Sequence, residues 1–448
     1  MQVEDKKIIV IGMGKTGIAT AGFLGRRGAG VTVMDEKPPH QWGEAFQQIA
    51  GEPWLSMGGY NDMKVLEGVS MIVPSPGIPP DNPLLVEALM RHIPVISEIE
   101  LAYRFIKVPM VAVAGTNGKT TTATLLGNIL QYSGKKVFVG GNIGNPLIDY
   151  FETDQKDDFV VAEISSFQLQ WIEKFRPFIA ILLNITRDHV NYHGSFDGYR
   201  RAKARIFSRQ TSQDYAILNA ADKEQDEMTE RIGARTYQFS AQATLPEGIY
   251  VENNNMVLQI SGSGPEKYPV DSISLPGTHN VENVMASIIA ARLCGCSQQD
   301  IIKAVTAFRG LPHRIEFAGE KKSVKFYDDS KGTNVGSVLR ALETFSHPVV
   351  LLLGGRDKDG DFETLRPLLK TKARMIFVFG EARERIASLI GKDVPVLKAP
   401  TLKEAVENAY KNAEPGDVVL LSPGCASFDE FANYRERGNY FKDVVRNL

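Results

Sequence analysis

The first hundred residues alternate short apolar runs with amphipathic stretches, as a chain does when strands and helices follow each other in turn. A β-branched run at residues 8–11 leads into a glycine turn, a helical pattern covers 18–26, and apolar runs return at 31–35 and 71–78. Strands separated by helices favour a parallel sheet that carries helices on its faces. Residues 1–97 are therefore predicted to form a Rossmann-like N-terminal domain.

The alternation continues through the middle of the chain and predicts a second, mostly parallel sheet in a domain of residues 98–310. The segments concerned are predicted strands at 159–164, 179–183 and 215–219 and predicted helices at 98–105, 199–209 and 281–293. Between residues 240 and 274 the chain becomes rich in Gly, Asn and Ser, with short alternating runs. Such runs are typical of antiparallel strands, so we expect an antiparallel extension there.

A third block, residues 311–448, repeats the pattern and is predicted to be a Rossmann-like C-terminal domain. Its apolar runs predict buried strands at 325–327, 348–353, 375–379 and 418–421. The predicted fold class is thus α/β with three domains. A Rossmann-like sheet lies at each end, and the central sheet binds a mononucleotide through the loop described next.

An apolar run, the turn Gly-Thr-Asn-Gly-Lys-Thr at 115–120 and a helical pattern follow one another in the central block. Gly115 and Gly118 let backbone N–H groups turn toward an anion, Lys119 reaches the terminal phosphates, and the next threonine can ligate Mg²⁺. Val113 stands where the usual motif has Gly or Ala, so a variant turn is expected. The alternative is a plain strand-to-helix loop with a solvated lysine, but the strand before it and the helix after it favour ATP with magnesium.

A weaker glycine motif follows the first strand. Gly12, Gly14 and Gly17 have the spacing of a dinucleotide-binding turn, and Asp35 lies about twenty residues beyond it, where a ribose-binding carboxylate stands in such folds. The motif also fits a tight strand-to-helix turn without a ligand. An NAD-dependent oxidoreductase built on this turn is the main rival function, but it leaves the phosphate loop unexplained.

Chemically useful side chains also follow the predicted central strands. Glu163 ends one strand and is a natural magnesium ligand one strand-helix-strand step after the loop, although a strand-end acid is often a solvated cap. His189 begins a loop, with His193 close by as an equal candidate. Lys203 lies in an amphipathic helix with several arginines, a pattern typical of a solvated face. In the third block, polar residues cluster at 313–314, 328–334 and 422–428. Such clusters could bind a nucleotide ribose and an anionic substrate, and they also fit ordinary turns without a ligand.

Charge and cysteine content exclude several classes of protein. Lys and Arg number 51 against 53 Asp and Glu, so no overall positive field attracts nucleic acid. Three scattered cysteines are too few for a disulfide framework or a four-cysteine zinc site and are expected to be small buried thiols. No apolar stretch approaches the length that spans a bilayer. We therefore expect a cytoplasmic enzyme with no membrane partner.

Motifs spread over the whole chain carry a family resemblance. They are Gly-Thr-Asn-Gly-Lys-Thr at 115–120, Gly-Gly-Asn-Ile-Gly at 140–144, Glu-Ile-Ser-Ser-Phe-Gln-Leu at 163–169, Leu-Pro-Gly-Thr-His-Asn at 275–280, Gly-Leu-Pro-His-Arg at 310–314, Asp-Ser-Lys-Gly-Thr-Asn at 329–334 and Ser-Pro-Gly-Cys-Ala-Ser at 422–427. On these motifs the chain resembles the Mur ligases, and among them the member that adds D-glutamate.

The resemblance implies an ATP-dependent amide ligase that joins D-glutamate to UDP-N-acetylmuramoyl-L-alanine through an acyl phosphate. This reaction belongs to peptidoglycan precursor synthesis, and hence to cell wall biogenesis, cell shape and cell division. The three domains would bind the UDP group, ATP and the amino acid in that order, so the first glycine turn would hold uridine diphosphate rather than NAD. A monomer is expected. The alternative function without enzymatic activity is a nucleotide-dependent switch or scaffold that binds ATP.

The resemblance also implies a role for particular residues. Those at the reacting centre and the metals would be Lys119, Thr120, Glu163, His189 and Lys203, the last as a carbamate that supports a second Mg²⁺. Those that bind ATP would be Gly115, Thr116, Asn117, Gly118, Lys119, Thr120, Thr121, Asn280, Asn283, Arg314 and Asp329. Those that bind the UDP substrate would be Gly14, Lys15, Thr16, Asp35, Ser75, Pro76, Gly77, Asn142, Ser165 and Ser166. Those that bind D-glutamate would be Lys331, Thr333, Lys358, Ser427, Phe428 and Tyr434, where Tyr434 replaces the more usual Phe and Arg356 is an extra cation without an assigned role.

Overall fold

The computed structural model describes residues 1–59, 62–225, 232–262, 264–275, 277–391 and 394–448. The chain divides into two compact units, one of Met1–Val270 with Asn283–Val305 and the other of Asp271–Glu282 with Thr306–Leu448. The first unit holds two sheets and the second unit holds one. The predicted α/β class with three mainly parallel sheets is therefore confirmed.

The first sheet is parallel throughout and has the order β3-β2-β1-β4. Its strands are β1 Lys7–Ile11, β2 Gly30–Met34, β3 Leu55–Met57 and β4 Met71–Pro74. Its helices are Lys15–Gly25, Glu44–Gln47 and Pro83–Met90. β4 ends earlier than the apolar run suggests, because residues 75–78 close a turn in which the Ile78 N–H donates to the Ser75 carbonyl.

The central sheet has the order β13-β12-β11-β10-β9-β8-β5-β7-β6. Its strands are β5 Met110–Ala114, β6 Val137–Gly141, β7 Phe159–Glu163, β8 Ile179–Leu182, β9 Tyr215–Asn219, β10 Arg235–Ser240, β11 Gly248–Glu252, β12 Asn255–Gln259 and β13 Glu266–Pro269. The helices of this region are Glu98–Tyr103, Lys119–Tyr132, Ser166–Leu169, Val190–His193, Phe196–Ala204, Thr278–Leu293 and Gln298–Ala307. β11, β12 and β13 pair antiparallel, which confirms the predicted extension.

The third sheet has the order β14-β15-β19-β16-β17-β18, and only the β14–β15 pair among its described strands is antiparallel. Its strands are β14 Glu316–Lys321, β15 Val324–Asp328, β16 Val349–Gly354, β17 Ala373–Phe379, β18 Val396–Lys398 and β19 Val418–Gly424. Its helices are Val335–Glu343, Arg366–Lys372, Arg383–Ile390, Leu402–Asn412 and Tyr434–Arg446. Leu351 and Leu353 pack into one apolar cluster and Val350 and Leu352 into another, so both faces of β16 are covered.

Short 3₁₀ helices complete the described structure, at Pro39–Gln41, Met63–Leu66, Leu147–Glu152, Arg205–Phe207, Lys223–Gln225, Val270–Ser272 and Phe362–Leu365. Among the helices that the structure describes, none combines the length and apolar character needed to cross a bilayer. All three cysteines are buried free thiols, as expected.

A buried carboxyl group lies where the first sheet gives way to the central one. Glu98 begins the helix Glu98–Tyr103, and its Oε1 accepts the Ile148 N–H at 2.6 Å, while its Oε2 has no hydrogen-bond partner among the described residues. Burial raises the pKa of Glu98 from 4.5 to about 7, and Asp149 nearby acts in the same direction, against the Ile148 hydrogen bond. The folded chain therefore holds this proton at a pH where the unfolded chain has released it.

We expect the free energy of unfolding to fall as pH rises from about 5 to about 7.5, because burying the ionised form of Glu98 is costly. One pKa unit corresponds to about 1.4 kcal/mol, so the loss attributable to this group is about 3 kcal/mol. Glu98→Gln keeps a neutral side chain and should remove that part of the pH dependence. Urea unfolding at pH 5 and pH 8 measures it, with exposed Glu52→Gln as the control. Equal pH dependence in wild type and Glu98→Gln would contradict the assignment.

Candidate active site

The phosphate-loop motif sits at the carboxyl end of β5, between its parallel neighbours β7 and β8. Gly118 has a left-handed backbone with φ of 84°, and a Cβ there would collide with the Asn283 side chain. Asn184, just beyond β8, accepts the Thr116 N–H with its carbonyl and the Asn117 N–H with its Oδ1 at 2.8 Å. A neighbouring loop therefore helps to shape this turn.

Two lysines meet on one carbonyl of the loop. Lys119 Nζ donates to the Gly115 carbonyl at 2.9 Å, and Lys203 Nζ donates to the same oxygen at 2.7 Å. Lys203 is 1% exposed, so its interpretation as part of a solvated helix face is wrong. Burial, followed by the charge of Lys119, lowers the pKa of Lys203 well below its usual value. An unusually large share of neutral amine is therefore available at this position.

Lys203 is held by its neighbours on the helix Phe196–Ala204. The Ser195 hydroxyl accepts the Gly198 N–H and so caps this helix at its first turn. One turn before Lys203, the Tyr199 hydroxyl lies 2.9 Å from the Thr116 hydroxyl, and the Lys203 Nζ lies 4.7 Å from the Tyr199 ring centre. The helix is thus fixed to the phosphate loop by a hydrogen bond between side chains.

Glu163, at the end of β7, is 3% exposed and already holds two polar side chains. Its Oε2 accepts the Thr120 hydroxyl at 2.8 Å, and its Oε1 accepts the Asn142 amide at 2.8 Å. A carboxylate beside a hydroxyl at the start of the phosphate-loop helix fits the oxygen ligands that Mg²⁺ prefers. Glu163 is therefore not the solvated strand cap of the alternative interpretation.

The two candidate histidines differ in environment. His189 has a left-handed backbone at φ 50°, its side chain is 38% exposed beside Asp188, and its ring packs edge-on against Phe167. His193 lies with a ring nitrogen 3.0 Å from the Ser166 hydroxyl and stacks on the same Phe167. Burial lowers the pKa of His193 to about 4, with His189 and Lys203 adding to it. His193 is thus a neutral hydrogen-bond partner of Ser166.

Ser165 and Ser166 stand at the start of a short helix after β7. The Ser165 hydroxyl accepts the Gln168 N–H, and the Gln168 side chain accepts the Ser165 N–H at 2.9 Å, which together make a capping box. This pairing fixes the two serines beside Glu163 rather than leaving them on a mobile loop.

The residues predicted to bind the UDP group gather around the first glycine turn. Asp35 Oδ2 accepts the Met13 N–H at 2.6 Å, so this carboxylate shapes the turn itself. The Ser75 hydroxyl donates to the Gly12 carbonyl at 2.8 Å. Lys15 Nζ donates to the Gly144 carbonyl at 2.7 Å, which joins the turn to the loop that carries Asn142. A Cβ added at Gly14 or Gly77 would meet no atom within 4 Å. Thr16 lies in the first turn of the helix Lys15–Gly25, and Pro76 lies in the turn after β4.

In the second unit, a group of predicted ligands lies at the carboxyl ends of β15 and β19. Asp329 Oδ2 accepts the Ser422 hydroxyl at 2.7 Å, and burial raises the pKa of Asp329 to about 7 while Arg314 opposes this rise. Lys331 Nζ lies 4.1 Å from the Tyr434 ring centre. Phe428 is 60% exposed, which is unusual for a Phe away from any contact surface.

The other residues predicted to bind ATP or D-glutamate lie in turns and on one helix. Thr333 follows Lys331 in the same turn, Ser427 is buried beyond β19, and Lys358 lies on the loop after β16. Arg356 forms a surface ion pair with Glu381 at 2.8 Å, which accounts for this extra cation. Asn280 and Asn283 are both buried residues of the helix Thr278–Leu293. Pro276, in the Leu-Pro-Gly motif, lies outside the described residues.

Arg437, on the helix Tyr434–Arg446, connects two turns of this unit and was not predicted from the sequence. It is fully buried, and its guanidinium donates to the Ser330 hydroxyl and carbonyl, both at 2.9 Å, and to the Cys425 carbonyl at 3.1 Å. It thus ties the turn that carries Lys331 to the loop that carries Ser427. An arginine in an amphipathic helix among Arg435 and Glu436 is normally solvated, so the pattern pointed the wrong way.

One further cluster offers possible metal ligands, namely His313, Glu316 and Asp328. His313 Nδ1 lies 2.7 Å from Asp328 Oδ2, and Lys442 Nζ lies 3.0 Å from Glu316 Oε2. The Lys442 ammonium group already supplies a positive charge beside Glu316, so the cluster is better explained as a buried His313–Asp328 hydrogen bond next to an ion pair.

Comparison with known proteins covers almost the whole chain. Three family profiles match, described as "Mur ligase MurD-like, N-terminal domain" at residues 6–97, "Mur ligase middle domain" at 113–291 and "Mur ligase, glutamate ligase domain" at 313–425. A UDP-N-acetylmuramoylalanine--D-glutamate ligase of Syntrophus aciditrophicus is 53% identical over 100% of this chain and 99% of its own. The ligase of the same name from Geobacter metallireducens is 44% identical over 100% and 99%.

Solved structures show the same fold at low identity. A pseudomurein peptide ligase type C from Methanothermus fervidus superposes with a TM-score of 0.62 at 20% identity and covers 99% of this chain and 100% of its own. MurF ligase from Thermotoga maritima in complex with ADP gives 0.61 at 18% identity, with coverage of 100% and 97%.

Proposed function

The chain belongs to the Mur ligase family of ATP-dependent ligases in peptidoglycan precursor synthesis, and on that premise we propose that it joins D-glutamate to UDP-N-acetylmuramoyl-L-alanine. The relatives whose names state this reaction match over their full length. The observation that carries the proposal is the convergence of Lys119, Lys203 and Glu163 on one phosphate loop.

The chemistry begins from a carboxylate, which an amine cannot attack productively because oxide is a very poor leaving group. Transfer of the γ-phosphoryl group from ATP to the alanyl carboxylate gives an acyl phosphate and ADP. The D-glutamate amine then attacks the acyl carbon, loses a proton, and expels inorganic phosphate as the amide forms. Both ATP cleavage and the release of phosphate are thereby accounted for.

This chain's residues serve those steps by position and charge. Lys119 leaves its two loop carbonyls, at 2.8 and 2.9 Å, to meet the negative charge of the phosphoryl group. Glu163 and Thr120 would hold one Mg²⁺ and His189 another, and Mg²⁺, when bound, neutralises phosphate oxygens. Ser165, Ser166 and Asn142 border the same edge and would orient the muramoyl-alanine arm.

Lys203 is proposed to carry a carbamate. Its neutral amine would attack CO₂, release a proton, and leave an anion on the end of the side chain in place of a cation. Complete burial supports this, because a neutral amine reacts with CO₂ whereas an ammonium group does not. The anion would face the same loop edge as Glu163 and could support the second magnesium ion.

In the second unit, Lys331, Lys358 and Ser427 are proposed to hold the carboxylates of D-glutamate, with Thr333, Phe428 and Tyr434 completing the contacts. The support is that Arg437 fixes two of the turns concerned and that a lysine and an aromatic ring already lie together there. Domain boundaries at 97/98 and 310/311, a cytoplasmic location and a monomeric state belong to the same proposal.

Phosphate release measured with purified protein tests the reaction. With ATP, Mg²⁺ and UDP-N-acetylmuramoyl-L-alanine, we expect release that depends on added D-glutamate and is accompanied by one equivalent of amide product. L-Glutamate is the matched control and should not replace the D isomer. Hydride transfer from a nicotinamide cofactor would favour the oxidoreductase, and ATP binding without amino-acid-dependent turnover would favour a switch. Either result would overturn the proposal.

A further inference from the structure

A cleft of about 740 Å³ opens at the amino ends of the central strands. It is lined by Met110, which begins β5, and by Phe178 and Asp214, which directly precede β8 and β9. The phosphate loop follows the other end of β5, so the length of a strand separates the two. Ligands of open α/β sheets bind at the carboxyl edge. This cleft therefore lies apart from the candidate active site.

Positive side chains dominate the polar lining, since Arg104, Lys107, Lys174 and Arg176 face a single acid, Asp214. The ammonium groups of Lys107 and Lys174 are exposed, and neither makes a hydrogen bond or ion pair with any part of the chain that the structure describes. Two uncompensated positive charges thus stand at one opening.

Of the carboxylates around the cleft, Glu173 is exposed and pairs with Arg104, whereas the other two are buried. Glu100 is fully buried and accepts the backbone N–H groups of Glu173, Lys174 and Phe175 at 2.8 to 3.0 Å. Asp214 is also buried and accepts the Thr211 N–H at 2.7 Å. Both acids are satisfied from within the protein, so they present little negative charge to an incoming anion.

The same acids hold the two arginines in place. Arg104 Nε donates to Glu100 at 2.6 Å and its Nη2 to Glu173 at 2.6 Å. Arg176 Nε donates to Asp214 at 2.7 Å and its Nη2 to Thr211 at 2.8 Å, so its Nη1 has no partner among the described residues. A guanidinium fixed in this way loses little entropy when it binds a phosphate oxygen.

The rest of the cleft lining is apolar and partly aromatic. Tyr103 and Phe178 contribute rings, and Ile106, Val108 and Met110 contribute aliphatic surface. Small-molecule sites typically measure about 300–1,000 Å³ and combine an apolar lining with a few placed polar groups. The cleft meets both conditions.

We propose that this cleft is a second ligand site, which takes a phosphate monoester with an apolar or aromatic body. The phosphate lies between Lys107, Lys174 and the free edge of Arg176, and the body packs against Tyr103 and Phe178. Lysine meets phosphate as a point charge and arginine as a directional donor, so the set suits a tetrahedral dianion. The proposal is independent of the ligase reaction, whose phosphate loop lies at the opposite edge of the central sheet.

The probe is 1-naphthyl phosphate, titrated by calorimetry into protein saturated with ADP, Mg²⁺ and UDP-N-acetylmuramoyl-L-alanine, so that the candidate active site is filled. We expect saturable binding that Lys107→Glu with Lys174→Glu weakens about tenfold or more, and that added salt also weakens. Lys303→Glu with Lys411→Glu, on exposed lysines elsewhere, is the matched control and should bind as wild type.

Ligase turnover of both double variants should stay within about twofold of wild type, because neither pair contacts the phosphate loop; this verifies folding. Two further ligands separate the contributions of the phosphate and of the aromatic ring to the affinity. 1-Naphthol lacks the phosphate, and inorganic phosphate lacks the ring. Both should bind more weakly than the ester. Equal affinity of the two double variants, equal affinity for 1-naphthol, or no saturable binding to wild type would overturn the proposal.

Discussion

Lys119→Ala should lower amino-acid-dependent phosphate release by about a thousandfold or more. The Lys119 ammonium lies within 3 Å of two loop carbonyls, at 2.8 and 2.9 Å, and it is the charge nearest to where the terminal phosphates would lie. Removal of one preorganised group that stabilises developing charge typically costs about 100- to 1,000-fold, and here the loss adds to weaker nucleotide binding. Steady-state phosphate release at ATP concentrations below saturation, which gives kcat/KM, measures the combined effect.

Lys136→Ala is the matched control for that experiment. Lys136 is an exposed lysine between the helix that Lys119 begins and strand β6. It should retain wild-type turnover. Urea unfolding should show Lys119→Ala to be folded, since the residue is only part-buried. A Lys119→Ala enzyme with near-normal turnover would show that the loop does not act on the transferred group.

Lys203→Met should also remove turnover, by about 100-fold or more, while leaving the protein at least as stable as wild type. Methionine fills a similar volume, and replacing a buried cation with an apolar side chain is often neutral or stabilising. The loss of activity follows because methionine can carry neither a positive charge nor a carbamate. Phosphate release and urea unfolding measured on the same preparation test the two halves separately.

The control is Arg201→Met on the same helix, whose side chain is 74% exposed. It should change neither quantity. Depletion of CO₂ and bicarbonate from the buffer should reduce wild-type turnover and be reversed when they are restored. An active Lys203→Met enzyme would contradict the role of Lys203 in catalysis. Wild-type turnover that does not change when CO₂ is depleted would contradict the carbamate but not the need for the lysine.

Sequence patterns predicted most of the fold because apolar runs are long and regular where strands are buried on both faces. β5, β7, β8 and β16 are fully or almost fully buried, and each is a continuous apolar run. The pattern of apolar residues predicts an element less well where the surrounding structure decides its end or its burial. The strand predicted to reach residue 78 ends at Pro74, because residues 75–78 close a turn.

The site was predictable only in part, for a related reason. Glycines and strand-end acids mark their positions locally, so the phosphate loop and Glu163 could be found from the residues. Lys203 and Arg437 could not, because each lies on an amphipathic helix and is buried only by what packs over it. The family resemblance supplied Lys203. Nothing in the sequence predicted the burial of Arg437 or the hydrogen bonds between Asn184 and the phosphate loop.

The order of the central sheet bears on how the protein folds. β5 pairs with β7 and β8, whose first residues lie about fifty and seventy positions later in the chain. Closing such loops is slow compared with local helix formation. The hydrogen bonds from Asn184 to the phosphate loop cannot form until β8 has paired with β5. The ability to bind nucleotide should therefore appear late during refolding, after the helices have formed.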